Sequence, residues 1–552
     1  MVGCRSNSRK LLGFVALAVV ALAFGGCDWT MFGFDAGHTG FGWDNAIDGA
    51  NVSTLQQLFT SPGQFGSPVE SNGVVYVGNE GGNLDAFDAN GVTNCSGTPN
   101  ACSPLWTGST AGGDAPTAPA VANGVVFIDS SSGPTLYAFE ANGTTNCSGT
   151  PKVCQPLWTA LTSDGASSVV VANGVVYIGG NNGRVEAFDA NGVTNCSGTP
   201  KTCQPLWASN SNIGFSSPAV ANGILYTTGE DETLYAFDAN GTTNCSGTPT
   251  TCNPLWTAPM DITPDPTPAS PAVSNGVVYD PAFNGLFAFD AGGVTNCSGT
   301  PKTCKPLWTA PEGASQGEEQ SPAVANGNVD VANSAGIEAF DAKGVTNCSG
   351  TPKTCTPLWT YNAGFVQASS PSIANGLVFI GQGAAGSAGA FMAFDAGGVT
   401  NCSGTPKVCN PLWTVPTSEP AFTETAIANG KVYGTTFNPF PGSSVEGALY
   451  AWVLPPPTSS VLIPSDNASV SGTQLLDAGA SPGVTQVQFE ISGGPSNLND
   501  QVVASGSPTL YGWLANWDTR SVPNGVYTLQ SVASYGGEVS GTSSGITITV
   551  SN

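Results

Sequence analysis

Charged side chains and histidines are scarce in this 552-residue chain. Only 9% of the residues are charged, and His38 is the single histidine. Metal sites of the zinc type need clustered histidines or Cys-x2-Cys pairs, and the chain has neither. A serine hydrolase needs a histidine with an acidic partner and a Gly-x-Ser-x-Gly turn at the end of an apolar strand, and this combination is also missing. The sequence therefore argues against hydrolases of the triad type and against histidine-ligated metalloenzymes.

Basic residues are the rarer of the two charge classes. The chain has 13 basic and 38 acidic residues, for a formal net charge of −25. Three basic residues, Arg5, Arg9 and Lys10, lie within the first 27 positions, which contain no acid, so the remainder carries about −28. No basic cluster offsets this charge. An acidic surface repels a phosphate backbone, which excludes nucleic acid as a partner and suits the solubility of a large exported protein.

The first 27 residues predict an export signal. Arg5, Arg9 and Lys10 precede an apolar run at 11–24, which ends in Gly-Gly-Cys27. A membrane span needs ~20 apolar residues, and this run is shorter. The ending resembles a bacterial lipoprotein signal, in which the first cysteine of the mature chain is lipidated. Cys27 is therefore the expected lipidation site, with ordinary cleavage or an uncleaved anchor as the alternatives.

What the chain has in abundance is a repeat. The stretch at 88–107 returns six more times, at intervals of about 50 residues, which indicates a repeat architecture. Each copy holds one Cys-x6-Cys pair, and paired cysteines in an exported chain predict disulfides. The predicted disulfide cysteines are Cys95 with Cys102, Cys147 with Cys154, Cys196 with Cys203, Cys245 with Cys252, Cys297 with Cys304, Cys348 with Cys355, and Cys402 with Cys409.

One repeat unit shows the pattern of four short strands. Segments 217–221 and 224–228 flank Asn222-Gly223, a strong hairpin signal, and 233–238 and 255–257 follow. Four antiparallel strands per ~50 residues are typical of a propeller blade. First-strand segments occur eight times, but the eighth unit stops after its third strand. We expect segment 55–60 to supply the missing strand beside 448–454, so that the ring closes without open edges.

The unit resembles the repeat of the pyrroloquinoline-quinone (PQQ)-type propellers. Two elements carry this resemblance: the Ala-x-Asp motif of the third strand and a tryptophan in the fourth. The motif appears at Ala86 and Asp88, Ala187 and Asp189, and Ala236 and Asp238, whereas the second unit has Ala138 and Glu140. The tryptophans are Trp106, Trp158, Trp207, Trp256, Trp308, Trp359 and Trp413. The superfamily includes quinoprotein alcohol dehydrogenases and the non-enzymatic lipoprotein of the outer-membrane β-barrel assembly machinery, so the resemblance implies a fold that hosts both activities.

The residues that a quinoprotein dehydrogenase requires are largely missing. Such enzymes hold a calcium-bound quinone with cationic side chains and an aspartate base, often beside a disulfide of adjacent cysteines. Adjacent cysteines are absent, Arg184 is predicted in a turn and Arg520 in the last domain. The first strands, which should line the channel, carry Glu70 as their main titratable group. We therefore predict no cofactor and no catalytic residue, with PQQ and calcium as the alternative.

Two other features have two interpretations each. The spacing of Asp88, Asn90 and Asn94 can place oxygen ligands around calcium, but these are also turn-forming residues, and turn chemistry is the expected role. The repeated tryptophans can stack on a sugar or quinone, but one per blade at a fixed position indicates core packing. His38 is predicted to be structural. The connectors with the cysteines should crowd the face opposite the long loops at 258–269 and 310–320, where binding is expected.

The chain divides into four predicted parts. These are the signal at 1–27, a propeller at 28–454, a proline linker at 455–457 and a β-sandwich resembling bacterial immunoglobulin-like domains at 458–552. In the last part, Tyr511, Trp513 and Trp517 are expected in the core, with a sugar-binding strip as the alternative.

The sequence thus predicts a non-enzymatic, all-β protein: an eight-bladed propeller closed by an N-terminal strand and followed by an immunoglobulin-like sandwich, monomeric and exported to the cell envelope. Its expected role is binding or scaffolding of a protein or glycan partner, with a lipid anchor in the membrane. The alternatives are a PQQ-dependent dehydrogenase and a surface glycan-binding protein.

Overall fold

The computed structural model describes residues 28–552 apart from short segments at 111–116, 131–132, 134, 164–166, 181–183, 211–215, 261–268, 283, 312–319, 335, 365–366, 385–386, 438–446 and 537–538. The predicted signal and Cys27 lie outside the described residues. The described part is β-structure with two short 3-10 helices, Val52–Thr54 and Thr519–Ser521. No helix in this part has the length and apolar character needed to cross a bilayer.

The described residues form eight propeller blades of four main strands each. The inner strands are Val69–Ser71, Ala120–Ala122, Val170–Ala172, Ala219–Ala221, Ala272–Ser274, Ala323–Ala325, Ser372–Ala374 and Ala426–Ala428. The second strands are Val74–Asn79, Val125–Ser130, Val175–Gly180, Ile224–Thr228, Val277–Ala282, Asn328–Asn333, Leu377–Gly383 and Lys431–Thr435. The third strands are Asn83–Asp88, Thr135–Glu140, Arg184–Asp189, Thr233–Asp238, Gly285–Asp290, Gly336–Asp341, Gly389–Asp395 and Ala448–Val453. The outer strands of blades 1 to 8 are Trp106–Ser109, Trp158–Leu161, Trp207–Ser209, Trp256–Pro259, Trp308–Pro311, Trp359–Asn362, Trp413–Thr417 and Gln56–Pro62.

The Asn-Gly pairs set the first turn of each blade. In blade 4, Asn222 and Gly223 have φ values of 51° and 78° and join the inner strand to the second strand in an Ala219↔Tyr226 register. A two-residue hairpin turn with positive φ at both positions matches the twist of the strands it joins. The predicted hairpin signal is thus what makes each blade antiparallel.

The ring closes as the sequence predicts. Gln56–Pro62 pairs antiparallel with Ala448–Val453 and forms the outer strand of blade 8, with Thr60 opposite Tyr450. The first strand of the propeller and its last are therefore joined by main-chain hydrogen bonds, and the prediction of an eight-bladed ring closed by the N-terminal strand is confirmed.

Each cysteine pair closes a two-stranded hairpin by a disulfide. The S–S bonds join Cys95 to Cys102, Cys147 to Cys154, Cys196 to Cys203, Cys245 to Cys252, Cys297 to Cys304, Cys348 to Cys355, and Cys402 to Cys409. We call these the capping hairpins, because each pairs in parallel with the outer strand of the preceding blade. The hairpin at 196–203, for example, lies along Trp158–Leu161 with Thr202 opposite Thr159.

The capping hairpins also contribute to the core between blades. The second cysteine of each hairpin is at most 4% exposed, and Cys154 packs in one apolar cluster with Trp106 and Phe139. From the sequence, the connectors are expected to crowd the face opposite the long loops. The structure places their hairpins along outer strand edges, where they join neighbouring blades.

Residues 459–550 form two further sheets around one shared core. One sheet has the order Ser459–Ile463, Thr473–Ala480, Gly512–Asp518, Ser507–Thr509. The other has the order Ala468–Val470, Ile546–Val550, Gly525–Tyr535, Gln486–Gly493, Leu498–Ser505, with Val539–Thr542 paired to Gly525–Tyr535. Leu476 and Trp517 from the first sheet pack with Phe489 and Leu529 from the second. The immunoglobulin-like assignment and the domain boundaries stay predictions.

Two short strands and the linker complete the chain. Phe41–Gly42 pairs in parallel with the inner strand of blade 7, and Gln367–Ala368 pairs with its second strand. Past the linker, Tyr535 joins the apolar cluster that holds Ile47 and Trp452 of the propeller part. The C-terminal sheets therefore rest against blade 8 and the segment that leads into it.

Candidate functional site

The axis of the propeller is occupied by the chain's own residues 29–42, which we call the axial segment. Its carbonyl groups accept hydrogen bonds from the central amide of the inner strand in six blades. The pairs are Trp29 with Glu70 at 2.8 Å, Thr30 with Val121 at 2.8 Å, Ala36 with Val220 at 2.5 Å, Gly37 with Val273 at 2.7 Å, Thr39 with Val324 at 2.6 Å, and Gly40 with Ile373 at 2.6 Å. Buried amides need partners, so the axial segment provides acceptors for amides of six of the eight inner strands.

The axial segment is packed as tightly as a core. Trp29 is fully buried and contacts Phe34 edge-to-face, with ring centroids 5.2 Å apart. At Gly40, which has a φ of +61°, an added Cβ would lie 2.6 Å from the Cβ of Ala323. A side chain at this position would therefore separate the segment from blade 6.

His38 lies in the axial segment and is 1% exposed. Burial lowers the pKa of its imidazole to about 4, so the ring is neutral at pH 7. It meets Phe32 edge-to-face at 5.2 Å. Among the described residues no acidic side chain pairs with this ring, and the backbone φ of His38, 53°, lies in the left-handed region.

Two buried glutamates, Glu424 and Glu70, lie next to the axial segment. The carboxylate of Glu424 accepts a hydrogen bond from the Gly33 amide at 2.9 Å, and burial raises the pKa of Glu424 to about 8. Glu70 accepts from the Gly73 amide at 2.7 Å and from the Asn429 side chain at 3.0 Å. Burial, and after it the charge of Asp28, raises the pKa of Glu70 to about 8. Both groups are largely protonated at neutral pH.

Three further buried acids lie on second strands, and none of them was predicted from the sequence. Burial raises the pKa of Asp129 to about 8 and the pKa values of Asp280 and Asp330 well above the usual range. Asp280 accepts a 2.6 Å hydrogen bond from the Thr228 hydroxyl of the neighbouring blade. The signal that could have revealed them is a departure from the repeat, since Asp330 stands where most units carry an aromatic ring, such as Tyr279.

A cleft of about 350 Å³ opens at the turn between the second and third strands of blade 1. Its walls are Pro62, Gly63, Gln64, Phe65, Asn79, Glu80, Gly81, Asn83 and Asp85. The Asp85 carboxylate accepts hydrogen bonds from the Asn79 side chain at 2.5 Å and from the Thr107 hydroxyl at 2.8 Å. Both carboxylate oxygens of Asp85 are thus engaged in hydrogen bonds within blade 1.

The connector carboxylates are turned onto their own main chain. Asp88 accepts hydrogen bonds from the amides of Asn90 at 2.9 Å and Thr93 at 2.7 Å, and the Asn94 side chain donates to the Pro104 carbonyl. This arrangement closes a turn and uses the oxygens that a calcium ion would need. Across the described residues, no group of three or more His, Cys, Asp or Glu side chains is arranged to hold a metal.

The other sequence-predicted residues lie apart from one another. Arg184 is exposed and acts electrostatically on Glu186, while Arg520 pairs with Asp518 at 2.9 Å in the C-terminal part. The repeated tryptophans are at most 6% exposed, in keeping with core packing. Trp517 is buried and Tyr511 is 84% exposed, so these two do not share a strip. Most of both long loops, with Glu312, Glu318 and Glu319, lies outside the described residues.

The quinone that the resemblance implies does not fit the axis. The axial segment lies where the inner strands converge, and the buried ionisable side chains next to it include the acids Glu70 and Glu424. A quinone that carries carboxylates needs cationic partners. Among the described residues, the basic group acting on these acids is Lys431, whose charge lowers the pKa of Glu70 against the larger effect of burial.

Comparisons with known proteins identify the fold. No protein-family model matches the sequence, and no curated protein matches it. The structure is similar to quinohemoprotein alcohol dehydrogenase from Comamonas testosteroni, with a TM-score of 0.52 and 14% identity over 78% of this chain and 80% of that one. It is also similar to the computationally designed Ika8 protein, with a TM-score of 0.50 and 12% identity over 72% and 99% of the two chains. BamB from Moraxella catarrhalis matches with a TM-score of 0.46 and 14% identity over 72% and 99%. The fold is that of a β-propeller, and similarity at this level of identity concerns the fold alone.

Proposed function

We propose that the chain is a non-enzymatic binding or scaffolding protein of the bacterial cell envelope. The observation that carries the proposal is the axial segment. It lies at the centre of the ring and accepts six main-chain hydrogen bonds from the inner strands. A rigid ring with a filled centre presents its edges and loops to a partner protein or glycan, and function on such scaffolds usually lies in the exposed loops.

The disulfides support the location of the protein outside the cytoplasm. Seven disulfides form among the described cysteines, and disulfides persist in oxidising compartments. Asp28, the residue after Cys27, accepts hydrogen bonds from the Ser71 hydroxyl and the Asn72 amide, both at 3.0 Å. A lipid on Cys27 would therefore hold the ring close to the membrane through a short, fixed connection.

A cofactor titration tests the non-enzymatic role. Residues 28–552 are mixed with PQQ and Ca²⁺, and bound quinone is measured by absorbance after gel filtration, followed by dye reduction with primary alcohols. We expect no stoichiometric quinone and no dye reduction. One quinone per chain together with alcohol-dependent dye reduction would establish the dehydrogenase instead.

Lipid attachment has its own test. The full chain and a Cys27→Ser variant are produced in a bacterial host with labelled palmitate, and the membrane fraction is analysed. We expect label and membrane retention in the first and neither in the second. Equal release of both proteins into the medium would mean ordinary cleavage.

A glycan array probed with the soluble protein separates a glycan partner from a protein partner.

A further inference from the structure

The outer strand of blade 7, Trp413–Thr417, lacks a capping hairpin in the described structure. The seven hairpins of the chain cover blades 1 to 6 and blade 8. The hairpin for blade 7 would come from the eighth unit, but that unit has no cysteine connector and continues from Val453 into the linker. The outer strand of blade 7 is thus the edge of its sheet, whereas the outer strands of the other seven blades each pair with a hairpin.

The hydrogen bond that each hairpin makes has no counterpart at blade 7. In each of the seven capped blades, one outer-strand amide donates to a carbonyl of the hairpin at 3.0 to 3.1 Å. The donor and acceptor pairs are Thr60 and Asn100, Thr107 and Lys152, Thr159 and Lys201, Ala208 and Thr250, Thr257 and Lys302, Thr309 and Lys353, and Thr360 and Lys407. Thr414 holds the equivalent position next to Trp413, and no described residue accepts from its amide across this edge.

The exposure of Thr414 agrees with an open edge. Thr414 is exposed, whereas its seven equivalents are half-buried or buried under their hairpins. The 3-10 helix Val52–Thr54 packs beside this strand without pairing with it, and Val52 shares an apolar cluster with Trp413. The side chain of Trp413 is therefore packed in the core, whereas the outward main-chain amide of Thr414 has no strand paired with it among the described residues.

We propose that this edge is a docking site for a short β-hairpin of a partner protein, which adds to blade 7 in parallel as the capping hairpins add to the other blades. Main-chain pairing to an exposed sheet edge is a common mode of recognition, since it supplies hydrogen bonds that any extended segment can make. The native pairings define the ligand: in six of the seven hairpins a β-branched residue faces solvent, as Val153 and Val408 do, and in all seven a cysteine packs inward, as Cys154 does. All seven hairpins of this chain are in use, so the occupant belongs to a different protein. The inference rests on the proposed binding role and names its surface.

Hydrogen exchange in the free protein tests whether the edge is open. We expect the Thr414 amide to exchange at least a hundredfold faster than the Thr360 amide of blade 6, which donates to Lys407 at 3.0 Å. Equal protection of the two amides would overturn the proposal, because it would mean that blade 7 is already capped.

A photo-crosslinking experiment tests the occupant. The probe is the oxidised cyclic peptide Cys-Ser-Gly-Thr-Pro-Lys-Val-Cys, the sequence of residues 402–409, with a benzophenone at its N-terminus. We expect saturable cross-links to residues 412–418, found by mass spectrometry. Thr414→Pro removes the outward amide from an edge strand and should reduce cross-linking at least tenfold. Thr414→Ala keeps the amide and should stay within twofold of the native protein.

Two results would overturn the proposal: cross-links spread over the whole rim, or equal cross-linking of the proline and alanine variants. Thermal melts of both variants verify that they remain folded. If either variant is unfolded, the hydrogen-exchange measurement on the native protein still tests the proposal. Loss of the proposed non-enzymatic role would appear as quinone-dependent dye reduction, which the peptide experiment does not measure. The two proposals can therefore fail separately.

Discussion

The carbonyl of Lys201 accepts a hydrogen bond from the amide of Thr159 at 3.1 Å, although the two residues belong to different blades. The hairpin that carries Lys201 is closed by the disulfide of Cys196 and Cys203. The disulfide therefore holds in shape an element that completes the neighbouring sheet, and its effect should reach beyond its own repeat.

Removing this disulfide should destabilise blade 2. Closing an 8-residue loop contributes about 2.5 kcal/mol in the chain-entropy model, so Cys196→Ser/Cys203→Ser should lower the free energy of unfolding by at least that amount. Hydrogen exchange should accelerate at Thr159 in the preceding blade. Val153→Ala, at a hairpin residue that is 42% exposed, is the control and should change stability by less than about 0.5 kcal/mol. Faster exchange confined to 190–206 would show that the hairpin does not support its neighbour.

Gly143 should tolerate alanine far less well than Gly124. Both have positive φ, +61° and +77°, so both substitutions bear the cost of the left-handed conformation, about 1–2 kcal/mol. At Gly143 the new Cβ would also lie 2.2 Å from the Trp106 ring, whereas nothing lies within 4 Å at Gly124. We expect Gly143→Ala to lower the unfolding free energy by at least about 2 kcal/mol more than Gly124→Ala in denaturant titrations. Similar losses would mean that the tryptophan moves freely.

The axial segment should be essential to the ring. Trp29→Ala removes a fully buried side chain and should cost about 3–5 kcal/mol in unfolding free energy. Trp43→Ala, at a tryptophan that is 63% exposed, is the matched control and should cost less than about 1 kcal/mol. Comparable losses for the two variants would argue that the segment does not pack in the centre of the ring.

Stability should fall as the pH rises from 5 to 8. Glu424 has a pKa of about 8 in the folded chain and a usual value of 4.5, so in this interval the folded state holds a proton that the unfolded state has released. Each such group removes up to about 1.4 kcal/mol of stability per pH unit, and Glu70 and Asp129 act in the same direction. Below pH 4.5 the difference vanishes.

The glutamine variant isolates this contribution. Glu424→Gln keeps an oxygen for the Gly33 amide and removes the titration, so the slope of unfolding free energy against pH should become shallower. Chemical denaturation at pH 5, 6.5 and 8 measures both slopes. An unchanged slope would show that Glu424 is ionised in the folded protein.

The repeat made the ring predictable, because each feature of a blade recurs with one period. Strand alternation, the Asn-Gly turns and the count of first-strand segments led to eight blades and to the closing role of segment 55–60. The pairing of the capping hairpins was not predictable. The hairpin at 196–203 pairs in parallel with Trp158–Leu161 of another unit, and neither segment has a sequence pattern that indicates this partner. The position of the axial segment was not predictable for a different reason. The segment is irregular and occurs once, and it contacts the inner strands through main-chain carbonyl groups, which every residue has.

The candidate sites were less accessible to sequence reasoning. Asp129, Asp280 and Asp330 each interrupt a repeat, and a comparison of aligned units would have selected them. The open edge of blade 7 follows from the missing eighth cysteine pair only once the target of the other seven is known. Its identification needed the hydrogen-bond partners of Thr360 and its equivalents.

The pairing of each blade with the next unit's hairpin has a consequence for biosynthesis. A polypeptide that emerges from its N-terminus completes the sheet of one blade only after about 50 further residues have followed, because the capping hairpin is made later than the strands it covers. The outer strand of blade 8 waits longest of all, since Gln56–Pro62 is made first and its partner Ala448–Val453 nearly 400 residues afterwards. The hairpin at 95–102 can pair with this strand early, but its antiparallel partner is among the last parts of the ring to be made.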